Sequence, residues 1–132
     1  MATLDEAVRR ILDGTNFASV ATVRADGAPQ VSVVWVKRDE DTVLFSTTAG
    51  RQKAKNLTAD PRVSVSIYDL ANPYESVEIR GNAELTVDED KWLPRELSHK
   101  YLGEDPPKAE PGEVRLIVRV IPEKVIRFAP DM

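Results

Sequence analysis

The run Thr47-Thr48-Ala49-Gly50-Arg51-Gln52-Lys53-Ala54-Lys55-Asn56-Leu57 passes from a strand pattern into a helix pattern. Two hydroxyls and a glycine come first. Three cations then fall within five residues, with no acid among them. A helix N-terminus carries partial positive charge and free N–H groups, so acids are favoured there. The chain as a whole has net charge −4, so this basic start is a local inversion. Two readings of the junction stand. It is an anion site, where N–H donors, hydroxyls and cations converge on one phosphate, or it is a basic, solvated surface helix.

Upstream of this junction the pattern is β-rich after one short helix. Thr3 and Glu6 are spaced as a capping box. Leu4, Val8, Ile11 and Leu12 recur on one helical face, and Gly14 stands where a left-handed C-terminal residue belongs. Phe17 to Val23 and Pro29 to Lys37 read as strands around the turn Ala25-Asp26-Gly27. Asp39-Glu40-Asp41 is a turn, and Thr42 to Thr47 is a third strand. Connections this short predict an antiparallel three-stranded meander.

Downstream, Ala49 to Asp60 reads as the helix, with Ala54 and Leu57 inward and Pro61 ending it. Val63 to Tyr68 is a fourth strand, and Leu70 to Pro73 a turn. Tyr74 to Val87 is a long fifth strand that bends at Gly81. Asp88 to Leu102 starts acidic and is helical after Pro94, with Leu93, Leu97 and Tyr101 four apart. Gly103 to Gly112 is a proline-rich loop, the most mobile segment expected. Val114 to Ile121 is a sixth strand, and Val125 to Phe128 a seventh broken off by Pro122. Six or seven antiparallel strands with short helices predict a mainly β chain, closed or nearly closed into a barrel.

Length and composition narrow the function. The 132 residues are one domain's worth of chain, enough to bury about two thirds of the unfolded surface. There is no cysteine, which excludes disulfides, iron–sulfur clusters and thiol catalysis. A single histidine, His99, leaves no histidine metal cage, so no metal dependence is expected. Net acidity argues against nucleic-acid and membrane-surface binding. No apolar run reaches the roughly 18–20 residues of a membrane span, and the charged, periodic N-terminus does not read as a signal peptide. A cytoplasmic protein is expected.

Other candidates are fewer. Trp35 shares a strand face with Val31 and Val33; it can wall a flat aromatic ligand or be an ordinary core tryptophan. Trp92 and His99 lie in the second helical region, and His99 reads as an exposed helix residue. No nucleophile has an identifiable base. If the chain is an enzyme, a bound cofactor carries the hard chemistry.

Arg51-Gln52-Lys53-Ala54-Lys55-Asn56-Leu57, Asp60-Pro61-Arg62-Val63 and the later Tyr74-Glu75-Ser76-Val77-Glu78-Ile79-Arg80-Gly81, in this order after a helix and a meander, resemble the pyridoxamine 5′-phosphate oxidase-like split β-barrels. The resemblance runs from about Leu4 to Phe128 and is nearest to the branch that uses the deazaflavin coenzyme F420 in place of FMN. It implies a split barrel of the FMN-binding type and a homodimer with cofactor sites between subunits. It implies that Arg51 and Lys53, with Gln52, Thr47 and Thr48, hold the cofactor phosphate. Ser32 to Trp35 would lie along the ring, and Ser76 would contact it from the long strand. For the oligoglutamate tail of F420, Lys55, Lys37 and Arg38 are the cations at hand. The namesake oxidase has an Arg-x-His near its C-terminus; Val125-Ile126-Arg127-Phe128-Ala129-Pro130-Asp131-Met132 has none. The expectation is therefore a reductase that passes a hydride from reduced deazaflavin to a small electron-poor acceptor. An FMN-binding oxidoreductase and a non-catalytic flavin carrier are the alternatives, with no catalytic residue assigned.

Overall fold

The computed structural model describes residues 1–130; Asp131 and Met132, quoted above with the tail, lie outside them. The described chain forms α1 (Glu6–Asp13), β1 (Ala18–Val23), β2 (Pro29–Val34), β3 (Lys37–Asp39), β4 (Thr42–Thr48), α2 (Gln52–Ala59), β5 (Arg62–Asp69), β6 (Asn72–Val87), α3 (Trp92–Leu102) and β7 (Arg115–Phe128). All pairings are antiparallel, and the strand order is β2-β1-β5-β6-β7-β4-β3.

That order overturns the meander. β2 and β3 sit at opposite edges of the sheet, yet only Trp35 and Val36 separate them in the chain. Seven strands laid flat span about 29 Å at the usual inter-strand spacing. Three Cα steps from Val34 to Lys37 reach no further than about 11 Å. The sheet must therefore curl until its edges meet. The result is a barrel closed by a covalent link at one seam instead of a hydrogen-bonded ladder, which is the split barrel expected.

The inward faces follow strand alternation. Val20 of β1, Val63, Val65 and Ile67 of β5, Val77 and Ile79 of β6, and Val118 and Val120 of β7 are buried in one core with Val43 and Phe45 of β4. α1 adds Val8, Ile11 and Leu12 to that core, and Leu4, just before the helix, joins them. β4 is buried on both faces: its Leu44 points the other way, into a second cluster with Leu93 and Leu97 of α3 and with Trp35, Tyr101 and Ile117 at its margin.

Several local expectations are corrected. Asp5, not Thr3, caps α1, accepting the Val8 N–H at 3.0 Å. Gly14 is extended, not left-handed. α3 begins at Trp92, with Pro94 inside its first turn, where a proline's missing N–H costs no helical bond. Both oxygens of the buried Asp88 cap it, accepting the N–H groups of Trp92 and Leu93. Arg115–Phe128 is one strand, because Pro122 falls at a register shift that skips Glu123. The count of seven is completed by the short β3 instead.

Gly81 faces Pro122 at that shift, and a Cβ there would lie 2.0 Å from the Ile121 carbonyl oxygen. Gly81→Ala is expected to cost ~3 kcal/mol or more by overpacking against backbone. Gly50→Ala, where nothing lies within 4 Å of the added carbon, should change little. Urea unfolding midpoints of the two variants check this.

The seam is held from α3. Lys100 Nζ donates to the carbonyls of Leu12 and Val36, each at 2.7 Å, and the Tyr101 hydroxyl accepts the Val36 N–H at 3.2 Å. Burial lowers the Lys100 ammonium to about 8, opposed by Asp13 and aided by Lys37. Between about pH 8 and the ordinary lysine value, the unfolded chain holds more protons than the folded one, so this group makes stability rise with pH there. Comparing urea midpoints across that window, the rise should be present in the native chain and reduced in Lys100→Met.

Candidate functional site

β4 ends at Thr48 and α2 begins at Gln52, so Ala49, Gly50 and Arg51 turn the chain out of the barrel wall. Arg51 occupies the N-cap position with no side-chain cap, and the first turn of α2 holds no acid. The helix axis is set by a polar chain behind it. Gln52 Nε2 donates to Asn56 Oδ1 at 2.7 Å, Asn56 Nδ2 donates to Thr22 Oγ1 at 2.9 Å, and the Thr22 hydroxyl donates to Gln30 Oε1 at 2.9 Å. Asn56 and Thr22 are buried. These bonds tie α2 to the β1–β2 hairpin and fix where its N-terminus points.

It points into a cleft of about 370 Å³, within the roughly 300–1,000 Å³ usual for small-molecule sites. Thr47, Thr48, Arg51 and Lys53 form one end. Val33, Val34 and Trp35, beside the barrel seam, form one wall, and Pro94 and Leu97 of α3 with Pro106 and Pro107 form another. Ser46 and Arg115 complete the lining.

Thus the structure brings Trp35, Thr47, Thr48, Arg51 and Lys53 together. Gln52 is turned away into the polar chain. Ser32 is on β2 but outside the lining, with its Oγ buried and unpartnered. Ser76 is opposite Phe128 on β6. It is outside the cleft lining: its neighbour Val77 lies three strands from Val34, through Ile67 and Ala18, about 14 Å at the usual inter-strand spacing. Lys37 and Arg38 are engaged by Glu96 at 3.6 Å and Asp13 at 2.9 Å. His99 is exposed and pairs with Asp105 at 2.6 Å. Sequence reasoning missed Arg115, Ser46 and the Pro106-Pro107 wall. Arg115 reaches the cleft only because β7 pairs with β4, placing it opposite Thr48. No local motif marks that pairing.

The electrostatics of the cleft are uneven. Arg9, Arg38, Arg62, Arg80 and Arg119 each meet a carboxylate within 3.0 Å. Arg115 meets Glu113 at 3.2 Å and the Ser46 hydroxyl at 3.3 Å. Arg51 and Lys53 have no acidic partner among the described residues. Burial, then the neighbouring Arg51 charge, holds the Lys53 ammonium below its ordinary value. The Thr47 hydroxyl is buried and has no hydrogen-bond partner. A buried polar group without a partner is costly, and an anion here would meet both cations, this hydroxyl and the open N–H groups of the first helical turn. The donor set fits a phosphate. Among the described residues, no group of three or more His, Asp or Glu side chains could hold a metal ion, and no helix is long and apolar enough to cross a membrane.

Comparison with known proteins identifies the family. Residues 4–128 match the pyridoxamine 5′-phosphate oxidase family, and the chain belongs to it. The particular relatives differ in what they share. A pyridoxine/pyridoxamine 5′-phosphate oxidase of Cupriavidus pinatubonensis is 31% identical over 87 residues, 65% of this chain and 41% of that protein. A dihydrophenazinedicarboxylate synthase of Pseudomonas chlororaphis is 33% identical over 81 residues, 58% of this chain and 36% of that protein. This chain thus spans about two fifths of the length of these curated relatives. Among solved structures, an F420 reductase superposes with a TM-score of 0.83 at 32% identity, covering 93% of this chain and 98% of that one. The split-barrel fold and the oxidoreductase family are established together.

Replacing Arg51 with Gln removes the like charge beside Lys53. The Lys53 pKa should then rise toward its ordinary value, which NMR titration of the Lys53 side chain checks.

Proposed function

We propose that this chain is a cofactor-dependent oxidoreductase that uses coenzyme F420, with the cleft beside α2 as its cofactor site. The observation that carries the reading is the pair Arg51 and Lys53, uncompensated in an acidic protein and converging with the orphaned Thr47 hydroxyl. When bound, a deazaflavin supplies hydride transfer to a small electron-poor acceptor. The protein's part is to bind and orient. Arg51, Lys53, Thr47 and the α2 N-terminus would hold the phosphate. Val33, Val34 and Trp35 would lie along the ring system. No side chain in the lining is assigned as a proton donor. The similarity to an F420 reductase across nearly the whole of both chains favours the deazaflavin over FMN.

Parallel titrations with F420 and FMN test the choice. F420 should bind more tightly, and the bound reduced cofactor should be reoxidised when quinone or enone acceptors are added. Tighter binding of FMN would favour the flavin reading, and binding without reoxidation a carrier. Arg51→Ala and Lys53→Ala should each weaken binding by about tenfold or more, since a charge-assisted contact is worth about 1.5–3 kcal/mol and ~1.4 kcal/mol is a decade. The loss should shrink at high salt. Lys124→Ala, outside the cleft, should bind normally.

We further propose a homodimer. Ser76 belongs to the ring site by family resemblance, yet it does not line this chain's own cleft. It could reach a cleft on a second copy. Tyr68, Leu70, Tyr74 and Phe128 at the same end of the sheet are exposed, an apolar surface suited to burial between subunits. Sedimentation should show a dimer at micromolar concentration; a stable monomer would remove Ser76 from the site.

A further inference from the structure

Trp35 lies on the seam, outside every strand ladder, so no cross-strand neighbour sets its rotamer. Its indole packs at the margin of the Leu44, Leu93 and Leu97 cluster, and one aromatic ring lies flat against it. Tyr101, in the last turn of α3, stacks on it with centroids 5.1 Å apart and planes 8° from parallel. Tyr101 is itself held on several sides. Its hydroxyl donates to the Asn16 carbonyl at 2.5 Å and accepts the Val36 N–H at 3.2 Å. Phe17 packs against its ring at 5.8 Å, tilted by 36°. The Lys100 ammonium lies 4.9 Å from its centroid.

Trp35 lines the cleft and Tyr101 does not. The cleft-lining side chain on which the Tyr101 ring stacks is Trp35. We propose that Tyr101 is a positioning residue for the cofactor site: its ring fixes the plane of the Trp35 indole, and with it the wall against which a flat ring is laid. The proposal rests on the cleft being a flavin-type site. It separates the two ends of that site, because Tyr101 is coupled to the ring wall and not to Arg51, Lys53 or Thr47. The ring does the positioning; the hydroxyl anchors Tyr101 to the seam.

The test uses Tyr101→Leu, which loses the stack, and Tyr101→Phe, which keeps it. Both are made in a Trp92→Phe background, so that emission comes from Trp35 alone. Without ligand, Tyr101→Leu should add a fast component to the nanosecond anisotropy decay of Trp35, and Tyr101→Phe should not. Tyr101→Leu should weaken F420 and FMN binding about five- to tenfold while leaving inorganic phosphate affinity unchanged. Tyr101→Phe should stay within about twofold of the parent for all three. Urea midpoints monitor folding. An unchanged Trp35 decay in Tyr101→Leu overturns the proposal. So does an equal loss of ring and phosphate affinity in both variants, which would mark a merely structural role. A parent protein that binds no F420 or FMN defeats the cofactor reading, and the ligand-free anisotropy then decides the placement of Trp35 by itself.

Discussion

The constraint on which this structure depends is the two-residue link between its sheet edges. Trp35 and Val36 join β2 to β3, the first and last strands of the sheet order. A link that short forces the curl, and the curl creates the enclosed core. It also leaves a seam where backbone groups lack ladder partners. α3 supplies them: Lys100 and Tyr101 satisfy the carbonyl and N–H of Val36. The helix is thus more than a cover for Leu44. It completes the hydrogen bonding that barrel closure leaves open.

The cleft follows from the same seam. It opens between the seam, the end of β4 and the face of α3, and the proline loop after α3 forms its outer wall. One end presents apolar and aromatic surface, the other presents cations and donors. That polarity matches a ligand with a flat ring and an anionic arm. Burial is the larger cause of the lowered Lys53 pKa, and the Arg51 charge gathered beside it without an acid adds to the lowering. A structural role alone does not call for such repulsion at a helix end that already favours negative charge.

The polar chain from Gln52 through Asn56 and Thr22 to Gln30 shows how one short run divides its labour. Arg51 and Lys53 face the cleft, while the residue between them turns back to hold the helix in place. Adjacent positions on a helix point in different directions, so a single short run can both anchor itself and present charge.

Much of this was legible in the chain alone. Strand alternation, turn residues and helical spacing are local signals. They marked the inward faces of α1 and α2, the Gly27 turn, the bend at Gly81 and the basic start of α2, because each depends on neighbours a few residues away. The cap of α1 was misread because Thr3 and Asp5 are both competent caps, and only packing of Leu4 into the core selects the later one. The meander was misread because hairpin length says that strands are antiparallel, not which strands end up adjacent. Pairing of β4 with β7 is decided about 70 residues away, and it alone brings Arg115 to Thr48. The stacking of Tyr101 on Trp35 likewise exists only once the sheet has closed. Local chemistry determined the elements and the basic, acid-free character of one junction; the closure of the sheet decided what that junction faces.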